Sequence, residues 1–157
     1  MFKIGDKVKK FISIFVVSGL VHTLFSLYWA FGGTAGLLSV GSWVFTFNAQ
    51  WGIWMNLMLI VVGLFKGIAT LAPLYLMKTY NKILFYISCI GSVFLMIYGG
   101  LNTVVGWLKL LQVIQYHDFY TTFGQAMVWD PLFLLWGIGL FGFLMKIKKQ
   151  NTNQKLI

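Results

Sequence analysis

The sequence predicts an all-α, polytopic membrane protein: a bundle of four transmembrane helices with the N and C termini cytoplasmic. Three observations lead there. The mean hydropathy is +0.83, with 59% apolar residues and 10% charged ones, whereas ordinary soluble domains carry about 25% charge. Four apolar runs reach or approach the roughly 17–25 residues that a spanning helix needs. Lysine falls almost wholly on one side of the resulting topology, as cytoplasmic loops require.

The first run, residues 11–30, follows a basic start. Its apolar core is too long for a signal peptide and no small-residue cleavage pattern follows, so it reads as a retained helix. Ser18, His22 and Ser26 recur every four residues and share one face, which Trp29 continues. That stripe is expected to face other helices. An outer loop, 31–50, is rich in glycine early on and mixes Trp, Phe, Thr, Asn and Gln later.

The second helix is expected over 51–77. Gly63 and Gly67 form a small-xxx-small pair that lets another helix approach closely. Pro73 removes a backbone donor and predicts a kink. After a tight turn bearing Lys78 and Lys82, the third helix is expected over 83–111. Ser88, Ser92, Gly99, Asn102, Gly106 and Lys109 follow steps of three and four residues if Leu95 fills the gap, the seam of a helix packed inside a bundle. A second outer loop, 112–129, holds Tyr116, His117 and Asp118. Asp130-Pro131 then predicts a helix start, with aspartate as N-cap and proline at the first position, and a fourth helix over 130–147. The basic stretch before the first helix is expected to anchor at lipid headgroups, and the polar tail from Gln150 to be disordered. The whole, 1–157, is one membrane domain.

Orientation rests on two signals. Lys3, Lys7, Lys9, Lys10, Lys78, Lys82, Lys146, Lys148, Lys149 and Lys155 are ten of the twelve lysines, and all fall on the side of the termini. Tryptophan favours the membrane interface, and Trp29, Trp43, Trp51, Trp54, Trp107 and Trp129 all map to the outer ends or outer loops.

Several function classes drop out. The chain has no arginine and no glutamate, so an exporter built on a membrane glutamate is disfavoured. Disulfide exchange needs a cysteine pair, and Cys89 stands alone. Two histidines, one cysteine and three aspartates make a poor supply of zinc ligands, and His22 and His117 differ too much in depth to hold a haem together. No metal and no cofactor is expected. Glycine-rich phosphate loops and nucleophile triads are missing. The positive charge signals membrane-surface retention, not nucleic-acid binding.

Lys66 is the least expected residue, because an ammonium at bilayer depth costs roughly 2.5–3.5 kcal/mol and needs a reason. Counting along the helices puts His22 just outward of the first midpoint and Lys66 just inward of the second. Asn102 lies about a turn and a half outward in the third. The site expectation is that His22, Asn56, Lys66 and Asn102 line one polar cavity open to the outer side, with Asp130 and Lys109 at its mouth. The bland alternatives stay open: Lys66 snorkels or rests on carbonyls freed by Pro73, His22 is a neutral interhelical imidazole, Asn102 is bundle glue, and Asp130 is a helix cap.

The string from His22 to Gly33 (His-Thr-Leu-Phe-Ser-Leu-Tyr-Trp-Ala-Phe-Gly-Gly), followed by Thr34-Ala-Gly-Leu, resembles the opening signature of an uncharacterised bacterial family of small four-helix membrane proteins. It is the domain of unknown function numbered 3995. Asp118-Phe-Tyr and the segment from Trp129 to Gly137 are similar to its later parts. The third helix departs from many relatives, with Asn102 and its neighbours where they carry an arginine and an aspartate. The resemblance implies a fold, a topology and a bacterial plasma membrane, but no activity.

Three functions are weighed. The leading one is non-enzymatic: binding, sensing or passing a small anionic or amphipathic ligand drawn to Lys66. The second is a membrane enzyme acting on a lipid or isoprenoid, with His22 as base and an apolar groove ending at that residue. The third is an accessory subunit of a membrane complex or a homo-oligomer, joined through glycine-lined helix faces.

Overall fold

The computed structural model describes residues 5–154; Lys3 and Lys155 lie outside them. Among the described residues all regular secondary structure is helical. α1 runs Asp6–Ala30. A loop with one 3-10 turn at Leu37–Ser39 leads to the short α2, Trp43–Trp51, and then α3, Ile53–Leu71. α4 spans Lys82–Leu110. α5, Phe119–Gly124, continues through a π turn at Gln125–Trp129 into α6, Asp130–Gln154. Four of these stretches are long and apolar enough to cross a bilayer: Asp6–Ala30, Ile53–Met77, Lys82–Leu110 and Phe119–Asn153. The chain is a multi-pass membrane protein.

The boundaries differ from the sequence expectation at five places. α1 starts at Asp6, five residues early, so the basic lead-in is part of the helix. The expected outer loop 31–50 contains the short helix α2, and the second span begins at Ile53, because Gly52 adopts φ 50°, a backbone state that breaks the helix between them and that glycine reaches without strain. Around Pro73 the α-helix gives way to a 3-10 helix, Ala72–Met77, with proline among its first two residues. The last helix begins eleven residues before Asp130. Asp118 is its N-cap, accepting from the main-chain N–H of Thr121 at 3.2 Å. Asp130 has helical dihedrals, and its N–H reaches the carbonyl of Gln125, five residues back. The wide π turn takes up the clash that Pro131 would otherwise impose on the preceding turn. At the other end α6 stays helical to Gln154, well into the segment expected to be disordered.

α6 packs against α1 and α4 along its length, and α1 also packs against α3. α3 and α4 scarcely meet; α4 touches that arm mainly through the 72–77 turn. The four spanning helices therefore form a row, α3–α1–α6–α4, bent around α6. Close approach depends on small residues. A β-carbon on Gly137 would lie 2.7 Å from the Met96 nitrogen and 2.8 Å from the Ser92 carbonyl oxygen. One on Gly106 would lie 2.7 Å from Ala126 Cβ, and one on Gly63 2.8 Å from the Leu27 side chain. The α4 seam faces inward as its spacing predicts, with Ser88, Ser92, Gly99 and Gly106 buried. The apolar core gathers at the end that holds the termini, around Phe15, Leu76, Phe85, Phe143, Leu144 and Ile147.

Candidate functional site

Away from that core, towards the outer loops, the helix crossing is filled by a different set of side chains. The π turn and α6 together present Trp129, Phe133 and Trp136 at steps of four and three, a single stripe. Phe133 receives a side chain from each of the other three spanning helices. His22 of α1 stacks on it, with centroids 3.7 Å apart and planes 19° from parallel. Lys66 of α3 places Nζ 5.5 Å from the ring centroid. Tyr98 of α4 meets it edge-on at 5.5 Å.

The Lys66 ammonium donates to Ser26 Oγ at 3.0 Å, so Ser26 of the α1 stripe holds it from one side and Phe133 from another. A cation over a phenyl face contributes about 0.5–2 kcal/mol, most when water is excluded. No carboxylate lies within 4 Å: among the described residues the ion pair found is Lys9 with Asp6, at the surface. The ammonium does not turn to the carbonyls near Pro73. The Lys66 carbonyl itself is taken by the Thr70 hydroxyl at 2.7 Å. His22 is 3% exposed, and its Nε2 is buried without a hydrogen-bond partner, as is Nε1 of Trp136, whose ring stacks 6.2 Å away. Most buried polar groups in proteins are paired, so two orphan ring nitrogens side by side set this layer apart.

A lid closes the layer from the loop end. Trp29 and Trp129 meet edge to face at 5.1 Å, with Phe25 against Trp129 at 5.0 Å. The 31–42 loop is latched over them: Trp129 Nε1 donates to Ser39 Oγ and Trp29 Nε1 to the Ala35 carbonyl, both at 2.9 Å. The Thr121 hydroxyl and main-chain N–H both donate to Asp118 and hold its carboxyl below the usual carboxylate range.

Residues 19–140 match the family model for a protein of unknown function, DUF3995. The chain belongs to the DUF3995 family. Comparison with curated proteins and with solved structures gives no match. The matched DUF3995 segment contains the whole cluster, from His22 to Trp136, and the loop that covers it.

Within the DUF3995 fold, the residues singled out by sequence separate into three groups. His22 and Lys66 meet at Phe133, as their depths suggested. Asn56 does not join them: it lines a groove of about 140 Å³ under the 31–42 loop with Trp29, Asn48 and Met55. Asn102 is half-buried and donates to the Tyr98 carbonyl one turn back, at 2.9 Å, a local bond within α4. Depth along a helix does not fix the direction a side chain takes around it, which is why these two were misgrouped. Asp130 is buried and Lys109 half-buried, in electrostatic range of one another but without an ion pair. Trp43, Trp51, Trp54 and Trp107 are exposed, Trp29 is half-buried, and Trp129 is buried in the lid. Sequence reasoning missed Phe133 and Tyr98. The signal for Phe133 was its place between Trp129 and Trp136 on one α6 face; Tyr98 had none.

Proposed function

We propose that this DUF3995 protein is a non-enzymatic binding or sensing protein of the bacterial plasma membrane, with its termini in the cytoplasm. Lys66 is the group that meets its ligand, an anionic small molecule. The observation that carries this reading is the state of the Lys66 ammonium: a neutral hydroxyl and a phenyl ring are its neighbours, with no carboxylate within 4 Å among the described residues. An ammonium has three donors, and Ser26 takes one. A cation at bilayer depth without a counter-charge is costly, and an arriving anion supplies that charge. The lysines clustered at the helix ends on the side of the termini support the orientation. The sealed imidazole weighs against catalysis, because a base that is 3% exposed offers a substrate no approach.

The test is ligand-induced stabilisation of the purified protein, since a ligand that binds only the folded state raises its stability with concentration. A panel of carboxylates, phosphates and sulfates, soluble and amphipathic, is screened by thermal unfolding in detergent. At least one is expected to raise the midpoint of the parent and to lose that effect with Lys66→Met. A Lys66→Met protein that folds and keeps every response of the parent sinks the reading.

A further inference from the structure

The surroundings of Phe133 are closed on some sides and open on one. From the loop end, the Trp29–Trp129 pair and the latched loop block the way. Towards the terminal end lies the apolar core, with Trp136 2% exposed. His22 and Ser26, on the α1 side, are buried. Yet Phe133 and Lys66 remain half-buried, and Tyr98 is 44% exposed. The opening that accounts for this lies between α3 and α4, the two helices that scarcely touch above the 72–77 turn. In a bilayer that gap faces acyl chains, not water.

A ligand that comes from lipid to this depth has a constrained chemistry. Lys66 falls in the middle of the span Ile53–Met77, roughly 15 Å from either edge of a hydrocarbon core about 30 Å thick. A phospholipid headgroup is permanently charged and stays at the interface. A carboxylic acid can shed its charge by taking a proton, cross hydrocarbon as a neutral molecule, and pass that proton to Lys66 in its amine form, which leaves a carboxylate beside an ammonium. Its single negative charge matches a single cation. The two Lys66 donors not used by Ser26 suit two carboxylate oxygens. The half-buried aliphatic residues Val62 and Ala69 on α3 and Leu95 on α4 offer a chain an apolar wall.

We infer that the lateral gap between α3 and α4 admits a single-chain carboxylic acid of the fatty-acid type from the membrane, its carboxylate held by Lys66 over Phe133 and its chain lying along the gap. This rests on the reading of Lys66 as an anion site and adds the ligand class and the route.

The experiment uses the full chain in nanodiscs of zwitterionic phosphatidylcholine, with native mass spectrometry to count adducts. Palmitate, its methyl ester, phosphatidylglycerol and acetate are added in turn. Palmitate is expected to bind the parent, with affinity at least tenfold lower for Lys66→Met and unchanged for Lys109→Met, and the methyl ester not to bind. Val62→Trp, which fills the gap one turn from Lys66, is expected to lose palmitate while folding normally; it carries the test if Lys66→Met fails to insert. Acetate bound in a Lys66-dependent way without palmitate overturns the lipid route and leaves the anion site standing. Phosphatidylglycerol bound as well as palmitate overturns the fatty-acid assignment. Palmitate held equally by Lys66→Met, or the ester held equally by the parent, overturns the role of Lys66 and with it the proposed function.

Discussion

At the terminal end of the bundle, Phe15, Leu76, Phe143 and Leu144 are wholly buried, and among the described residues the buried polar side chains near them, such as Thr70, Ser88 and Ser92, carry small hydroxyls. One or two turns further on, the same helices enclose an imidazole, an ammonium, two indoles and a carboxylate. Both layers use glycine to bring backbones together, at Gly137 and Gly142 in one and Gly63 and Gly99 in the other. The contrast shows where shape and where chemistry reside. Lipid tails are as apolar as leucine, so helices in a bilayer associate through close van der Waals fit and a few polar contacts. The terminal layer supplies the fit. The loop-end layer carries unpaired polar groups that weaken association, and such groups persist where something other than stability selects them.

Mutations divide accordingly. Phe143→Ala in the terminal layer removes a ring that packs at a tilt against Phe15 and leaves a cavity that rigid helices fill poorly. A loss of about 3–5 kcal/mol is expected, read by denaturant unfolding in detergent. His22→Phe in the loop-end layer keeps the stack on Phe133 while removing both a nitrogen with no partner and the ring's hydrogen bond with the Trp129 main chain. The gain and the loss offset, so the variant is expected to stay within about 1 kcal/mol of the parent, by the same measurement; a loss as large as that of Phe143→Ala would erase the distinction between the layers. The smallest effect is expected at the lid. The Asp118 carboxyl is held below its unfolded value by its bonds from Thr121, so its contribution is present above about pH 4 and is lost as pH falls through the lowered value. Between pH 6 and pH 3 the parent should lose slightly more stability than Asp118→Asn, as read by hydrogen exchange in residues 118–124.

Hydropathy made the four spans legible, and the stepwise spacing of Ser18, His22 and Ser26 and of Ser88, Ser92, Gly99 and Gly106 told which faces turn inward. These signals are strong because a bilayer forces every spanning segment to satisfy its own backbone. The second outer loop misled, because residues 112–129 mix aromatic and polar side chains that suit an interface loop as well as a short helix. Asp130-Pro131 looked like a beginning because both residues favour that position; a π turn lets the helix pass through them. For the site, depth was enough to pair His22 with Lys66 but could not single out Phe133 among fifteen phenylalanines, nor send Asn56 to a separate groove.

The π turn at Gln125–Trp129 has a bearing on length as well as on path. One residue more or fewer in a helix turns everything beyond it by about 100°. The extra residue housed in this wide turn sets the rotation at which Ala126 meets Gly106 and Trp129 meets Ser39. A one-residue deletion between 125 and 129 would leave a longer regular helix with its upper arm facing the wrong neighbour. Helix 6 thus works as two shafts joined by a fixed-angle coupling, and relatives should tolerate substitutions there far more readily than changes in residue count.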